Sequence, residues 1–219
     1  MIGTIEVFLK VPKLSELEYV IFDLETTGLY AEQGDEIIEF GAIRLKGLEI
    51  TTESFQSLVK PPRTIPEAAS AVHGITDKDV SKSPPVSEIL PKFYEFCGNS
   101  YWVAQNARFD LSFILRDMKR LGINFRQSFA IDTIGISKIL FPFESRHNLD
   151  VMMARLGISK IGDRHRSLDD CRFTALVLIE FIKLLENQGI TELKDIESAF
   201  IKSDSIAKKL KPKTMGLFG

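Results

Sequence analysis

Apolar and polar positions fall into two successive rhythms along this chain. Three segments rich in Ile, Val and Phe come first, at Tyr19–Glu25, Glu36–Leu45 and Thr51–Val59. Gly and polar turns separate them, and such short turns suit an antiparallel meander of strands. Pro61 and Pro62 close the third strand. Helical spacing then takes over around Pro66–Val72 and at Val86–Cys97, followed by a short strand at Tyr101–Ala104. An amphipathic helix is predicted over Phe109–Leu121, with Phe109, Phe113, Leu115 and Leu121 facing a core. After a strand at Phe129–Ile131 come helices at Thr133–Leu140, Leu149–Leu156 and Leu168–Leu185, the last with a stripe of Phe173, Leu176, Val177 and Phe181.

A meander followed by alternating helix and strand describes an α/β domain, its mixed sheet flanked by helices. The domain is expected over residues 18–187. Residues 1–17 form a partly apolar lead, read as an added edge strand. Residues 188–202 read as a small terminal helix and 203–219 as a mobile basic tail.

Composition narrows the partners. A chain of 219 residues with 44% hydrophobic and 26% charged residues holds one substantial domain. Its formal net charge of −2 offers no long-range attraction for a polyanion, so a nucleic acid must be gripped locally. Cys97 and Cys171 sit in apolar helical surroundings and read as buried free thiols of a reducing compartment. No stretch approaches the ~18 apolar residues of a membrane span, and no signal peptide is evident, so a cytoplasmic protein is expected.

Charged residues interrupt this pattern at three places. In YVIFDLETTG, alternation on a strand sends Val20, Phe22 and Leu24 to one face, and Asp23 and Glu25 together to the other. Adjacent carboxylates raise each other's pKa unless a cation neutralises them, and their hard oxygens suit Mg²⁺ or Mn²⁺. For an isolated Asp-x-Glu, two solvated charges at a strand end would be the simpler account. Asp110 falls where a short strand turns through Asn106 and Ala107 into a helix, a place where Asp commonly serves the helix dipole. In HRSLDDCRFTALVL, His165 precedes a long helix with Asp169 and Asp170 in its first turn. Ser167-x-x-Asp170 also fits a capping-box-like pattern.

Their ordered combination is more specific than any one of them. Asp-x-Glu-Thr-Thr-Gly on a first strand, Asn-Ala-x-Phe-Asp opening a helix and His-x-x-x-x-Asp opening a late helix resemble the three motifs of the DEDDh exonuclease family. The resemblance runs from about Glu18 to Asn187 and includes His73-Gly-Ile-Thr, Asp132-Thr133 and His147-Asn-Leu-Asp. It implies a ribonuclease H-like fold and a 3′→5′ exonuclease using two divalent ions, Mg²⁺ or Mn²⁺. Asp23, Glu25, Asp110 and Asp170 would be the metal carboxylates and His165 the general base, with Asp169 a bystander. Asp23 would bridge the ions. Thr26, Thr27, Gly28, Leu29, His73, Gln105, Asn106 and Phe109 would contact substrate. Gln105 departs from the pattern, since the second motif often begins His-Asn.

The substrate implied is a single-stranded or frayed 3′ end of DNA, with RNA trimming as the rival and a non-catalytic nucleic-acid- or polymerase-binding module as the alternative from another class. Tyr30 and Phe109 lie beside the motifs, where stacking on a base competes with ordinary packing. His73 and His147 read as hydrogen-bonding residues of turns. Met215, Leu217 and Phe218, on a tail containing Lys208, Lys209, Lys211 and Lys213, resemble the short motif that docks on a sliding clamp, although Thr214 stands where Gln is usual.

Overall fold

The computed structural model describes residues 11–159 and 166–207. The first ten residues, His165 and the tail with Met215, Leu217 and Phe218 lie outside the described residues. The described chain folds around one six-stranded mixed sheet of order β3-β2-β1-β4-β5-β6. Strands β1 (Glu18–Thr26), β2 (Ile37–Lys46) and β3 (Glu49–Leu58) form the expected antiparallel meander. Strands β4 (Tyr101–Ala104) and β5 (Phe129–Asp132) add in parallel beside β1.

Period-two alternation on β1 serves two cores. Val20, Phe22 and Leu24 enter one cluster with Phe93, Trp102 and Phe113, from helices α3 (Val86–Cys97) and α4 (Ala107–Arg120) and from β4. Tyr19 and Ile21 enter the other, beneath α5 (Thr133–Leu140), α6 (Leu149–Arg155) and α7 (Ser167–Asn187). The sheet is therefore covered on both faces, which accounts for the nearly continuous burial of β2. On α7 the buried positions Thr174, Val177, Leu178, Phe181, Ile182 and Leu185 recur at three- and four-residue steps. Burying each Val, Leu, Ile or Phe there contributes about 1.5–3 kcal/mol before entropy is counted. Leu176 and Leu121, expected in core stripes, are 38% exposed: Leu176 shares a face of α7 with exposed Arg172 and Lys183, and Leu121 caps the end of α4. Two short helices, α1 (Glu67–His73) and α2 (Asp77–Val80), fill the connection after β3.

The ends of the domain differ from the sequence reading. The described part of the lead is a 3-10 turn at Leu14–Glu16, tied by the Leu14 N–H to the Thr191 carbonyl at 2.8 Å. Within the stretch read as a small terminal helix, a 3-10 segment at Leu193–Ala199 leads into strand β6 (Phe200–Lys202), antiparallel to β5. Three residues are too few for alternation to register in a sequence. The strand is fixed by backbone pairing and by Phe200 stacking on Phe129 at 4.0 Å between ring centres. Ser203–Ala207, read as the start of a mobile tail, is a short helix α8 whose Ile206 is buried with the α4 side of the core. No described helix is long and apolar enough to cross a membrane.

Candidate active site

The end of β1 and the beginning of α7 meet on one face of the sheet. Asp23 and Glu25 continue the Tyr19–Ile21 face, toward α7. Asp170, 7% exposed in the first turn of α7, completes a group in which one carboxylate oxygen from each residue lies within 4.8 Å of the others.

Two features of β2 bring α7 this close. Gly41, paired with Asp23, lies so near the helix that a Cβ there would stand 2.5 Å from the Ser167 carbonyl carbon. Glu39, paired with Glu25 and fully buried, accepts the Ser167 N–H at 3.2 Å and so satisfies an otherwise orphaned amide of the helix start. Its other oxygen accepts from Arg166 at 3.0 Å and from Gln56 at 3.1 Å. The cap that the sequence assigned to Ser167-x-x-Asp170 thus comes from across the sheet, and Asp170 turns to the acidic cluster. Asp169 instead pairs with Arg172 at 2.8 Å on the outer surface.

Asp110 approaches from the other side of β1. Strand β4 pairs with β1 only along Tyr19–Ile21, and beyond it the Leu24 N–H donates to Asp110 Oδ1 at 3.1 Å. Asn106, in the left-handed conformation that Asn tolerates, turns the chain from β4 into α4 and sets this position. Asp132 braces the turn by accepting the Asn106 and Ile134 N–H groups, both at 3.0 Å. Burial holds the Asp110 carboxyl well above its ordinary range, and the neighbouring Glu25 and Asp132 charges add to this. Burial likewise pushes the Cys171 thiol up, reinforced by Asp23, Asp110, Asp170 and Glu39, so this cysteine is an inert packing residue.

Thr26, Thr27, Gly28 and Leu29 leave β1 along the wall of a cavity of about 370 Å³, with Val72, His73 and Phe109 opposite. Thr27 zips the loop shut: its N–H donates to the Glu36 carbonyl and its hydroxyl accepts the Glu36 N–H, both at 2.9 Å. A Cβ on Gly28 would meet the Asp35 carboxylate, which occupies the space that glycine leaves open. His73 Nδ1 accepts the Ile75 N–H at 3.0 Å, fixing the ring by its own turn. Gln105 lines no part of this cavity; its amide donates to the His147 carbonyl at 3.2 Å and accepts from Thr133.

A second charged group holds the loop from behind. Arg116 of α4, 7% exposed, donates to the carbonyls of Ala31 and Asp35 and to the carboxylates of Glu36 and Asp117. Neither Arg116 nor Glu39 was singled out in the sequence. A charge amid an apolar run, as in IIEFGAI and FILRDM, is the signal that finds both, because charged residues are almost never fully buried unless paired.

A family model described as exonuclease, RNase_T, matches residues 20–178 and so spans the whole acidic cluster. The chain belongs to this exonuclease family. A DNA polymerase III subunit epsilon-like protein of Rhodobacter capsulatus is 38% identical over 180 residues, covering 81% of this chain and 25% of that protein. A DNA polymerase III PolC-type of Clostridium perfringens is 36% identical over 192 residues, covering 87% of this chain and 13% of that protein. The chain thus spans a quarter or less of these relatives. Exonuclease X in complex with 5′-overhanging duplex DNA superposes with a TM-score of 0.64 at 26% identity, over 83% of this chain and 99% of that one. The nuclease domain of 3′hExo, a DEDDh family member bound to rAMP, shares the fold at 22% identity and a TM-score of 0.66, over 79% of this chain and 93% of that one. The mixed sheet flanked by helices is the ribonuclease H-like fold of these exonucleases.

Proposed function

We propose that this chain is a metal-dependent 3′→5′ exonuclease that removes nucleoside 5′-monophosphates from single-stranded or frayed 3′ ends of DNA. The observation that carries the reading is the convergence of one carboxylate oxygen each from Asp23, Glu25 and Asp170 within 4.8 Å, inside the family-matched region. Three hard oxygen donors from a strand end and a helix start fit Mg²⁺ or Mn²⁺. Asp23, Glu25 and Asp170 would hold the metal, with Asp110 beside them. Two divalent ions, when bound there, would supply a water of lowered pKa and charge neutralisation at the leaving 3′-oxygen.

The chain's own residues do the rest. His165 would accept the proton of the attacking water as general base. Glu39 fixes the start of α7 and with it Asp170. Thr26 to Leu29, His73 and Phe109 offer the terminal nucleotide a largely apolar cavity beside the carboxylates. Gln105 and Asn106 shape the turn that presents Asp110. The DNA polymerase III relatives support DNA as the substrate and a polymerase as the source of the 3′ end.

The test is incubation with 5′-labelled single-stranded DNA and matched RNA in Mg²⁺ or Mn²⁺, beside EDTA and His165→Ala controls. The expected result is a ladder shortening from the 3′ end, faster on DNA and lost in both controls. Faster trimming of RNA would overturn the substrate assignment. No cleavage of either strand by folded, metal-supplied protein would overturn the activity.

A further inference from the structure

Buried hydroxyls in folded proteins nearly always have hydrogen-bond partners, and Ser167 departs from that rule. It is fully buried, and its Oγ has no hydrogen-bond partner among the described residues. A serine in the first turn of a helix ordinarily directs its hydroxyl to a nearby backbone group. Ser167 does not, although its own N–H is satisfied by Glu39 at 3.2 Å. Burying a hydroxyl without a partner is costly, and an alanine would fill the same place without that cost.

The position of Ser167 shows what its hydroxyl stands beside. Gly41 lies opposite Asp23 in the β1–β2 ladder, and directly opposed residues turn their side chains to the same face. A Cβ on Gly41 would stand 2.6 Å from Ser167 Oγ. The hydroxyl therefore takes the room that Gly41 leaves next to Asp23, on the face toward α7. Asp170, three residues further along α7, lies on the same side of the helix as Ser167. Glu39, opposite Glu25, is already engaged by the Ser167 N–H, Arg166 and Gln56. An acidic cluster alone is only crowded charge. A buried donor without a partner at its border is a second, independent mark of a site built for a ligand.

We propose that Ser167 is a positioning residue of the metal site, its hydroxyl donating to the Asp23 carboxylate when that carboxylate holds a divalent cation. An ionised carboxylate has about four lone-pair positions, so Asp23 can bind a cation and accept from a hydroxyl together. Such an outer hydrogen bond fixes how a ligating carboxylate is turned and thereby sets metal affinity. The unpartnered hydroxyl destabilises the metal-free protein, and the hydrogen bond formed in the loaded site offsets this. The proposal rests on the metal-dependent reading and assigns that site a residue other than its carboxylates.

The experiment uses the full chain without nucleic acid, as wild type and as Ser167→Ala. Binding of Mn²⁺ is measured by isothermal titration calorimetry, and melting temperatures are recorded in EDTA and in Mn²⁺. The variant should bind Mn²⁺ between about tenfold and a hundredfold more weakly. Its melting temperature in EDTA should equal or exceed that of wild type, because a buried hydroxyl without a partner has been removed. The rise in melting temperature on adding Mn²⁺ should shrink in step with the affinity. In cleavage of single-stranded DNA, saturating Mn²⁺ should restore most of the variant's kcat. Equal Mn²⁺ binding by the two proteins would overturn the proposal. So would a lower melting temperature of the variant in EDTA, which is the signature of a purely structural serine. Weaker Mn²⁺ binding by the variant, with no cleavage by wild type, would sink the exonuclease reading and keep the role of Ser167. No Mn²⁺ binding by wild type would overturn both.

Discussion

Two charged groups flank the β1 end, and they are built in opposite ways. Around Arg116, the carboxylates of Glu36 and Asp117 converge on guanidinium, with Arg120 reaching both at 3.1 and 3.2 Å. Around Asp23, carboxylates converge on carboxylates, and Glu25 raises Asp110 still further. The same fold thus neutralises buried acids in one place and crowds them in another. The first arrangement fixes a loop. The second concentrates negative charge where a divalent cation would be bound, which is how perturbed groups at functional sites differ from structural ones.

Removing Arg116 should produce the largest effect on stability. Arg116→Met leaves Glu36 and Asp117 buried without their central cation, and unfolding in urea should show a loss of about 3–5 kcal/mol. A Glu36→Gln/Asp117→Asn background should recover part of that loss. A loss under about 1 kcal/mol would mean that solvent, not Arg116, compensates these acids.

At the acidic cluster the same kind of surgery should have the contrary outcome. Asp23→Asn should lower kcat by more than about a hundredfold, beyond what loss of an outer-shell partner does. It should leave the metal-free melting temperature unchanged or higher, because it relieves repulsion with Glu25 and Asp170. A melting temperature that falls with activity would place Asp23 among structural residues.

The smallest effect concerns pH. The folded-state carboxyl of Asp110 is raised above its unfolded value of about 3.9. Its contribution to stability is therefore complete below that value and is lost as pH climbs through the folded one. Metal-free protein should lose melting temperature from about pH 4 upward, and Asp110→Asn should flatten that decline. An unchanged slope in the variant would assign the pH dependence to other groups, Asp132 first, since burial raises its carboxyl as well.

Much of this was legible in the chain, for local reasons. Alternation at Val20–Leu24 located both the core face and the acidic face of β1, because side-chain direction on a strand is fixed by the backbone alone. Helices such as Val86–Cys97 and Thr133–Leu140 fell where their periodicity placed them. The Asp170 pattern was ambiguous locally, since Ser167-x-x-Asp170 also spells a cap. Strand β6 was illegible, three residues long and defined by its partner β5.

What the sequence determined by itself is therefore the inventory: a meander followed by alternating elements, and acidic residues spaced to close the first strand and open two helices. Tertiary structure decided which of those acids meet. Only packing across β2 shows that Gly41 admits the α7 backbone, that Glu39 caps that helix from another strand, and that Asp170 consequently faces Asp23 and Glu25. Only packing of α4 shows Arg116 bracing the loop beside them. Backbone preferences act within a few residues and can be read in order along the chain. Charge compensation and close approach act between residues as distant as Glu39 and Ser167, and they exist only once the chain has closed on itself.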